Sequence, residues 1–373
     1  MPPAVDVLVA GAGLAGAVVA ERLAAEHGLS CLVVERRRHL GGLCHDAHDE
    51  AGVLVPSYGP HYFRTDSDRV ADYLSQFTDW RPAEYRVLVS THGRLWPFPI
   101  NLDTYEQLVG HAATSTEMEA ALAAWREPLG RAPANSEEYV VAQVGRALYE
   151  MFYRGYTRKQ WGREPAELDP SVAGRIPIRT DRDPRYLRER FQAMPRLGYT
   201  RLCERLLAHP RVAVLLGADA RAVRAAVPHR HLVYTGPLDE YFDRALGPLP
   251  YRSLRFEHAT LEVERYQPVV QVNYPNDHEY TRIIEPKHIT GQRLPCTSIV
   301  REYPAEAGDP YYAVPTPDAL ALAARYAARA AAEPEVSFVG RLASYRNQNM
   351  DQVVLDALHL ADRLGPRLRA ASA

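Results

Sequence analysis

From Val5 to Ala10 the chain reads VDVLVA, an apolar run too short for a helix. It ends in the glycines of Gly11-Ala-Gly13-Leu-Ala-Gly16. AVVAERLAAEHG then spaces its apolar residues at helical intervals, and SCLVVE, Ser30 to Glu35, returns to a short strand pattern. Strand, glycine turn, helix and strand, the second strand ending in a carboxylate, predict a dinucleotide-binding βαβ unit. The glycines permit the tight turn, let the backbone approach a pyrophosphate and let helix pack on strand. The helix N-terminus adds positive potential for that pyrophosphate. Glu35, 19 residues beyond Gly16, is placed to accept the hydroxyls of an adenosine ribose. An ordinary βαβ unit with a glycine-rich turn is the plainer alternative.

Further along, Thr104 to about Leu148 reads as helix with alanine-rich stretches such as MEAALAAWREPLG, interrupted at Pro128, Pro133 and Asn135-Ser136. This predicts a helical insertion after the first βαβ unit. From Asp219 to about Tyr303, runs such as HLVYTG, ATLEVERY and PVVQVNYP have the alternation of antiparallel strands. ALALAARYAARAAAEP, VSFVGRL and MDQVVLDALHLADRLG then predict helix, strand and helix, a unit that completes the nucleotide-binding sheet.

Length and composition narrow the class. A chain of 373 residues exceeds one ordinary hydrophobic core, so several domains are expected. Apolar residues at 46% and charged residues at 24% are those of a soluble globular protein. A net charge of −2 argues against a broad nucleic-acid surface but leaves room for a local basic pocket. No apolar run approaches a membrane span. The start lacks the charged region and cleavage site of a secretory signal, and Cys31, Cys44, Cys203 and Cys296 form no disulfide-like framework. These features suit the cytoplasm. Of 44 basic residues only Lys159 and Lys287 are lysine, which reads as a genome-composition effect.

Three stretches carry candidate chemistry. Cys44, His45, Asp46, His48 and Asp49 superficially resemble a metal site, but their spacing matches no zinc pattern and a polar turn is the simpler reading, so no metal is expected. RRRHLGGLC, Arg36 to Cys44, places Gly41 and Gly42 soon after the acidic residue. This resembles the FAD rather than the NAD branch of the fold. In FYRGYTRKQWG, Phe152, Tyr153, Tyr156 and Trp161 alternate with Arg154, Arg158 and Lys159. Such interleaving suits a nucleic-acid surface, a single nucleotide or ordinary helix packing.

Nine ordered blocks identify the chain as resembling the UDP-galactopyranose mutases. They are GAGLAGAVVAERLA, YGPHYFRTDS, FPINLDTYEQL, FYRGYTRKQWGREP, SVAGRIPIR, YTGPLDEYFDRALGPLPYRSLRFE, YTRIIEPKH, DPYYAVP and VGRLASYRNQNMD. The resemblance implies an α/β fold: a split Rossmann-like FAD-binding domain, an inserted helical domain with a mobile substrate loop, and a small antiparallel β-sheet domain. The implied boundaries are 1–80, 196–235 and 316–373 for the FAD domain, 101–195 for the helical domain, and 81–100 with 236–315 for the sheet domain.

It further implies redox-neutral interconversion of the pyranose and furanose forms of a nucleotide-activated hexose, foremost UDP-galactose, through a covalent flavin N5–sugar adduct. FAD acts in its reduced form, so an external reductant is needed, and a homodimer is expected. By the same resemblance, Arg175 and Arg282 are catalytic arginines on the diphosphate, and His61 lies near the reactive edge of the flavin. Tyr156 stacks on the base with Phe152 nearby, Trp161 sits on the loop over the sugar, and Tyr186 and Tyr312 contact the diphosphate. Gly11, Gly13, Gly16, Glu35, Arg36, Gly41, Gly42, His61, Arg341, Met350 and Asp351 hold FAD.

The chain departs from the family pattern at three places. GPHIFHT becomes GPHYFRT, putting Arg64 near the sugar. YRYLDMD becomes YRNQNMD, so Asn347 replaces a tyrosine on the diphosphate and Asn349 an aspartate. HKYG becomes Pro56-Ser57-Tyr58-Gly59. Drift within true UDP-galactopyranose mutases is one reading. Altered specificity, toward UDP-N-acetylgalactosamine or a TDP- or GDP-6-deoxyhexose, is the other, because a site built around one hydroxyl rejects analogues lacking it. Two further classes remain: an FAD oxidoreductase, which turnover without oxygen or NADPH consumption would exclude, and an inactive flavoprotein, which would bind no nucleotide sugar.

Overall fold

The computed structural model describes residues 4–174 and 176–370. Its first layer is a parallel five-stranded sheet in the order Val212–Leu216, Cys31–Glu35, Val5–Ala10, His229–Tyr234 and Val336–Phe338. The helix Leu14–His27 packs between this sheet and the final helix Met350–Ala370, and is buried along most of its length. Its polar Glu21 is tolerated inside because the hydroxyl of Tyr73 donates to it at 2.8 Å and Arg22 at 2.6 Å. The HLVYTG run, expected among antiparallel strands, pairs in parallel with the first strand, Leu232 opposite Leu8. Its flat apolar pattern fits a strand covered on both faces, which alternation alone does not separate from a hairpin strand. The final helix also runs past Gly365, where a shorter helix was expected, through Pro366 to Ala370.

A seven-stranded, mostly antiparallel sheet forms the second layer, ordered Tyr312–Ala313, Tyr251–Leu261, Thr297–Ala305, Arg282–Ile284, Gln271–Asn273, Val87–Thr91 and Arg94–Phe98. A separate three-stranded sheet pairs Phe63–Thr65 and Trp80–Pro82 with Phe191–Pro195. The helical insertion comprises Leu102–Val109, Ser115–Trp125 and Ser136–Tyr149, each with a side chain from Asn101, Thr114 or Asn135 accepting from its first-turn backbone. Among the described residues, no helix is long and apolar enough to cross a membrane.

The two lysines share one environment. Nζ of Lys287 donates to the carbonyls of Glu264, Leu294 and Cys296 at 2.9, 2.7 and 2.7 Å. Nζ of Lys159 donates to those of Tyr274, His278 and Tyr280. An ammonium directs three donors from one point, which a planar guanidinium does not. In a chain that otherwise uses arginine, both lysines stand where three carbonyls converge, so composition alone does not account for them.

Candidate active site

The carboxyl ends of the strands Val5–Ala10, Cys31–Glu35 and His229–Tyr234 open on a cavity of about 830 Å³, where open α/β sheets bind nucleotides. Gly11 has φ +113°, and a Cβ there would lie 2.1 Å from the Thr235 hydroxyl. A Cβ on Gly16 would lie 2.0 Å from the Gly11 carbonyl, so this glycine seats the helix on the turn rather than facing the cavity. Gly13, Gly41 and Gly42 line the cavity wall, with Gly13 bridged to Gly41. Glu35 is buried; its carboxylate accepts from the backbone N–H of Ala12 at 3.0 Å and of Arg37 at 2.9 Å. Arg36 and Arg37 reach over this end to Asp309 at 2.9 and 2.6 Å, tying the antiparallel sheet to it. A bare-backbone cradle, a helix N-terminus and a carboxylate with lone pairs to spare fit the pyrophosphate and ribose of FAD.

At the other end, Arg341 and Met350 line the wall where the final helix begins. Asp351, on the first turn, is not among the lining residues. Burial raises its pKa against the opposing pull of the Gln352 backbone N–H, Arg64 and Thr65, and its Oδ1 has no partner. His61 lines the cavity, and its Nδ1–H donates to the Gly59 carbonyl at 2.9 Å. Burial, then the nearby charge of Arg341, lowers its pKa to about 4, so the ring is neutral at pH 7. A neutral ring presents Nε2 as an acceptor, not as an acid.

Beyond His61 the cavity is walled by Arg282, Tyr85, Tyr186, Tyr312, Arg64 and Asn347. Arg282 starts its strand opposite Glu302 of the neighbouring strand, and that register brings Nη2 to 2.7 Å from a fully buried carboxylate. Burial opposes the charge on Arg282, but Glu302 and then Tyr156, Tyr312 and Tyr85 raise its pKa well above the ordinary value. Its Nε remains without a partner, a donor held ready inside the wall. The Tyr312 ring lies between Arg341, 5.0 Å from its centroid, and Trp161, 5.9 Å away. Arg64 pairs with Glu189 at 2.9 Å, so its charge is already balanced. Asn347 donates through Nδ2 to the Ala313 carbonyl at 3.0 Å, while its Oδ1 is buried and unpartnered.

The FYRGYTRKQWG stretch divides by function. Arg154 pairs with Glu150 and Glu164, Arg158 with Glu164, and Lys159 holds backbone carbonyls, so none of its cations is directed at the cavity. Tyr156 lies within electrostatic reach of Arg282, Tyr186 and Tyr312. Phe152 differs from the expectation. It is buried among Trp96 and Phe98, because the turn Glu150–Arg154 puts it on the inner face of the helix. Trp161 likewise packs with Leu168 and Val314 behind Tyr312, not in the cavity wall. Arg175 lies outside the described residues.

In the stretch from Cys44 to Asp49 the two carboxylates are engaged in capping backbone N–H groups. The Asp46 carboxylate accepts from the N–H groups of Tyr199 and Thr200 at 2.8 and 2.9 Å, capping a helix, and Asp49 caps its own turn at Ala51 and Val53. Among the described residues, no group of three His, Cys, Asp or Glu side chains converges as metal ligands would.

Tyr85, Gln271, Glu189 and Glu302 were not visible as site residues in the sequence. Tyr85 donates to Gln271 at 2.6 Å and Gln271 to Asn273 at 2.7 Å, a buried polar chain whose first two members line the cavity. Gln271 and Glu302 occupy their places through strand register, and Tyr85 and Glu189 lie on the segments leading into the strands Val87–Thr91 and Phe191–Pro195; local spacing carries no signal for either.

A dinucleotide cradle opening directly on an arginine- and tyrosine-walled chamber marks the class: an enzyme on the flavoprotein type of fold. Residues 151–347 match the family model of UDP-galactopyranose mutase, and residues 9–77 that of an NAD(P)-binding Rossmann-like domain. The chain belongs to the UDP-galactopyranose mutase family, whose members are isomerases. It is 35% identical to a probable UDP-galactopyranose mutase of Klebsiella pneumoniae, covering 96% of this chain and 94% of that one. It is also 34% identical to a dTDP-fucopyranose mutase of Escherichia coli, covering 95% and 97%. A crystal structure of reduced UDP-galactopyranose mutase has TM-score 0.79 at 16% identity, covering 96% and 93%. A putrescine oxidase structure reaches 0.60 at 15% identity over 99% of both chains. Likenesses at such identities show the fold alone.

Proposed function

We propose that the protein binds FAD and, with the flavin reduced, interconverts the pyranose and furanose forms of a nucleotide-activated hexose without net oxidation. The observation that carries this reading is the placement of Arg282, Tyr186 and Tyr312 beside the far end of the FAD cradle. An oxidase acting on a neutral amine has no use for such an anion-receptive wall. When bound, reduced flavin would supply a nucleophilic nitrogen for the anomeric carbon, with the diphosphate as the leaving group.

The chain's own residues supply the rest. Arg282, with its unpartnered Nε, stabilises the negative charge that develops on the departing diphosphate. Tyr186 and Tyr312 offer hydroxyls to the same group, and Tyr156 stacks on the base. Neutral His61 holds flavin and sugar in place without transferring a proton. Arg341 and the start of the final helix secure FAD. The reducing electrons come from a separate donor, and the active form is a dimer.

UDP-galactose is the first substrate to test. The near-equal identity to the UDP-galactopyranose and dTDP-fucopyranose mutases favours no sugar by itself. Arg64, balanced by Glu189, and Asn347, lacking the tyrosine hydroxyl, support a second reading in which a dTDP-6-deoxyhexose is handled instead. Purified protein, reduced with dithionite without oxygen, is to be incubated with UDP-galactopyranose, UDP-N-acetylgalactosamine and dTDP-fucopyranose. Chromatography then looks for an isomer of equal mass. Conversion only in the reduced state is expected; no isomer from any of the three would sink the proposal.

A further inference from the structure

Tyr156 and Arg282 are far apart in sequence, one on a helix and one at the start of a strand, yet three contacts hold their segments together. Residues 274–281 form the turn that joins Gln271–Asn273 to the strand beginning at Arg282, closed by Tyr274 N–H donating to the Thr281 carbonyl at 2.8 Å. Onto this turn docks the helix Gly155–Trp161. Gly155 meets it so closely that a Cβ would lie 2.3 Å from Asn276 Oδ1 and 2.6 Å from the Pro275 carbonyl. Asn276 donates to the Met151 carbonyl at 3.3 Å. One helical turn on, Nζ of Lys159 binds the carbonyls of Tyr274, His278 at 2.7 Å and Tyr280 at 3.2 Å. From behind, Arg252 donates to the Lys159 and Gln160 carbonyls, both at 3.1 Å.

We propose that Lys159 is a positioning residue: by fastening the turn 274–281 to the helix Gly155–Trp161, it fixes the separation between Tyr156 and Arg282. A ligand that spans both residues gains from that fixed distance, because two anchors at a set spacing act as one preorganised site. This rests on the reading above, in which Tyr156 holds the base and Arg282 the diphosphate. It also explains the lysine in an arginine-rich motif, since the planar fork does not gather three carbonyls around one point.

A double-mutant cycle on UDP and dTDP binding tests it, with flavin content and Tm confirming that each variant is folded. Lys159→Met and Tyr156→Ala are each expected to weaken nucleotide binding roughly 10-fold, and the double variant no more than either alone, since both remove the same anchor. Additive losses, or no loss in Lys159→Met, would overturn the inference. So would a loss in Lys159→Met where Tyr156→Ala has none. If Lys159→Met does not fold, Lys159→Arg, which keeps the charge but spreads its donors in a plane, takes its place in the cycle. Wild-type protein that binds neither nucleotide would overturn the nucleotide-sugar reading itself.

Discussion

Arg282 faces Glu302 at 2.7 Å across two antiparallel strands, with the carboxylate wholly removed from solvent. A buried pair of this kind is held by its geometry, and loss of either partner strands the other's charge. The arrangement sets an arginine rigidly in the cavity wall while keeping one of its donors unused. Arg282→Ala is expected to lower turnover by ~100-fold or more. The flavin absorbance should be retained, since Arg282 stands outside the nucleotide cradle. Near-normal turnover would remove Arg282 from the reaction.

Asn347 commits its only donor group to the Ala313 carbonyl and leaves an acceptor buried. A diphosphate also offers only acceptors, so Asn347 has at most the second N–H of that amide to give one. Asn347→Tyr, which returns a hydroxyl donor, should tighten UDP binding by roughly 3- to 10-fold, the worth of one hydrogen bond. Titration of the oxidised protein with UDP measures this, and unchanged affinity would place the residue away from the diphosphate.

His61 has a folded pKa of about 4 against an ordinary 6.5, caused first by burial and then by Arg341. Between those values the unfolded chain takes up a proton that the folded protein refuses. The stability from this group is therefore complete above pH 6.5 and is lost as pH falls through about 4. His61→Gln removes the dependence, so its Tm should fall less than the wild type's between pH 7 and pH 5, by the equivalent of about 1–2 kcal/mol. Parallel melting curves at the two pH values decide it; identical drops would mean the ring titrates normally.

Gly16 leaves no room for a side chain, because a Cβ would meet the Gly11 carbonyl at 2.0 Å, a contact with rigid backbone. Gly16→Val should push the helix off the glycine turn and abolish stoichiometric flavin. Protein purified yellow, with flavin bound as in the wild type, would show that the cradle does not need this approach.

The βαβ unit was legible in the sequence because its determinants are local: glycines where the turn forbids a Cβ, a helix behind them, and Glu35 at the next strand's end. The ordered motifs likewise contain Arg282, Tyr312 and Arg341, the family resemblance adds Tyr186, and all four line one cavity. The tertiary structure decided what depends on register between distant strands and on which face of a helix turns inward. Glu302 opposite Arg282, Glu189 on Arg64, Phe152 in the core and Lys159 over the turn 274–281 are all of this kind. None has a local signature, since a strand or helix shows its own periodicity but not the partner against which that periodicity is spent.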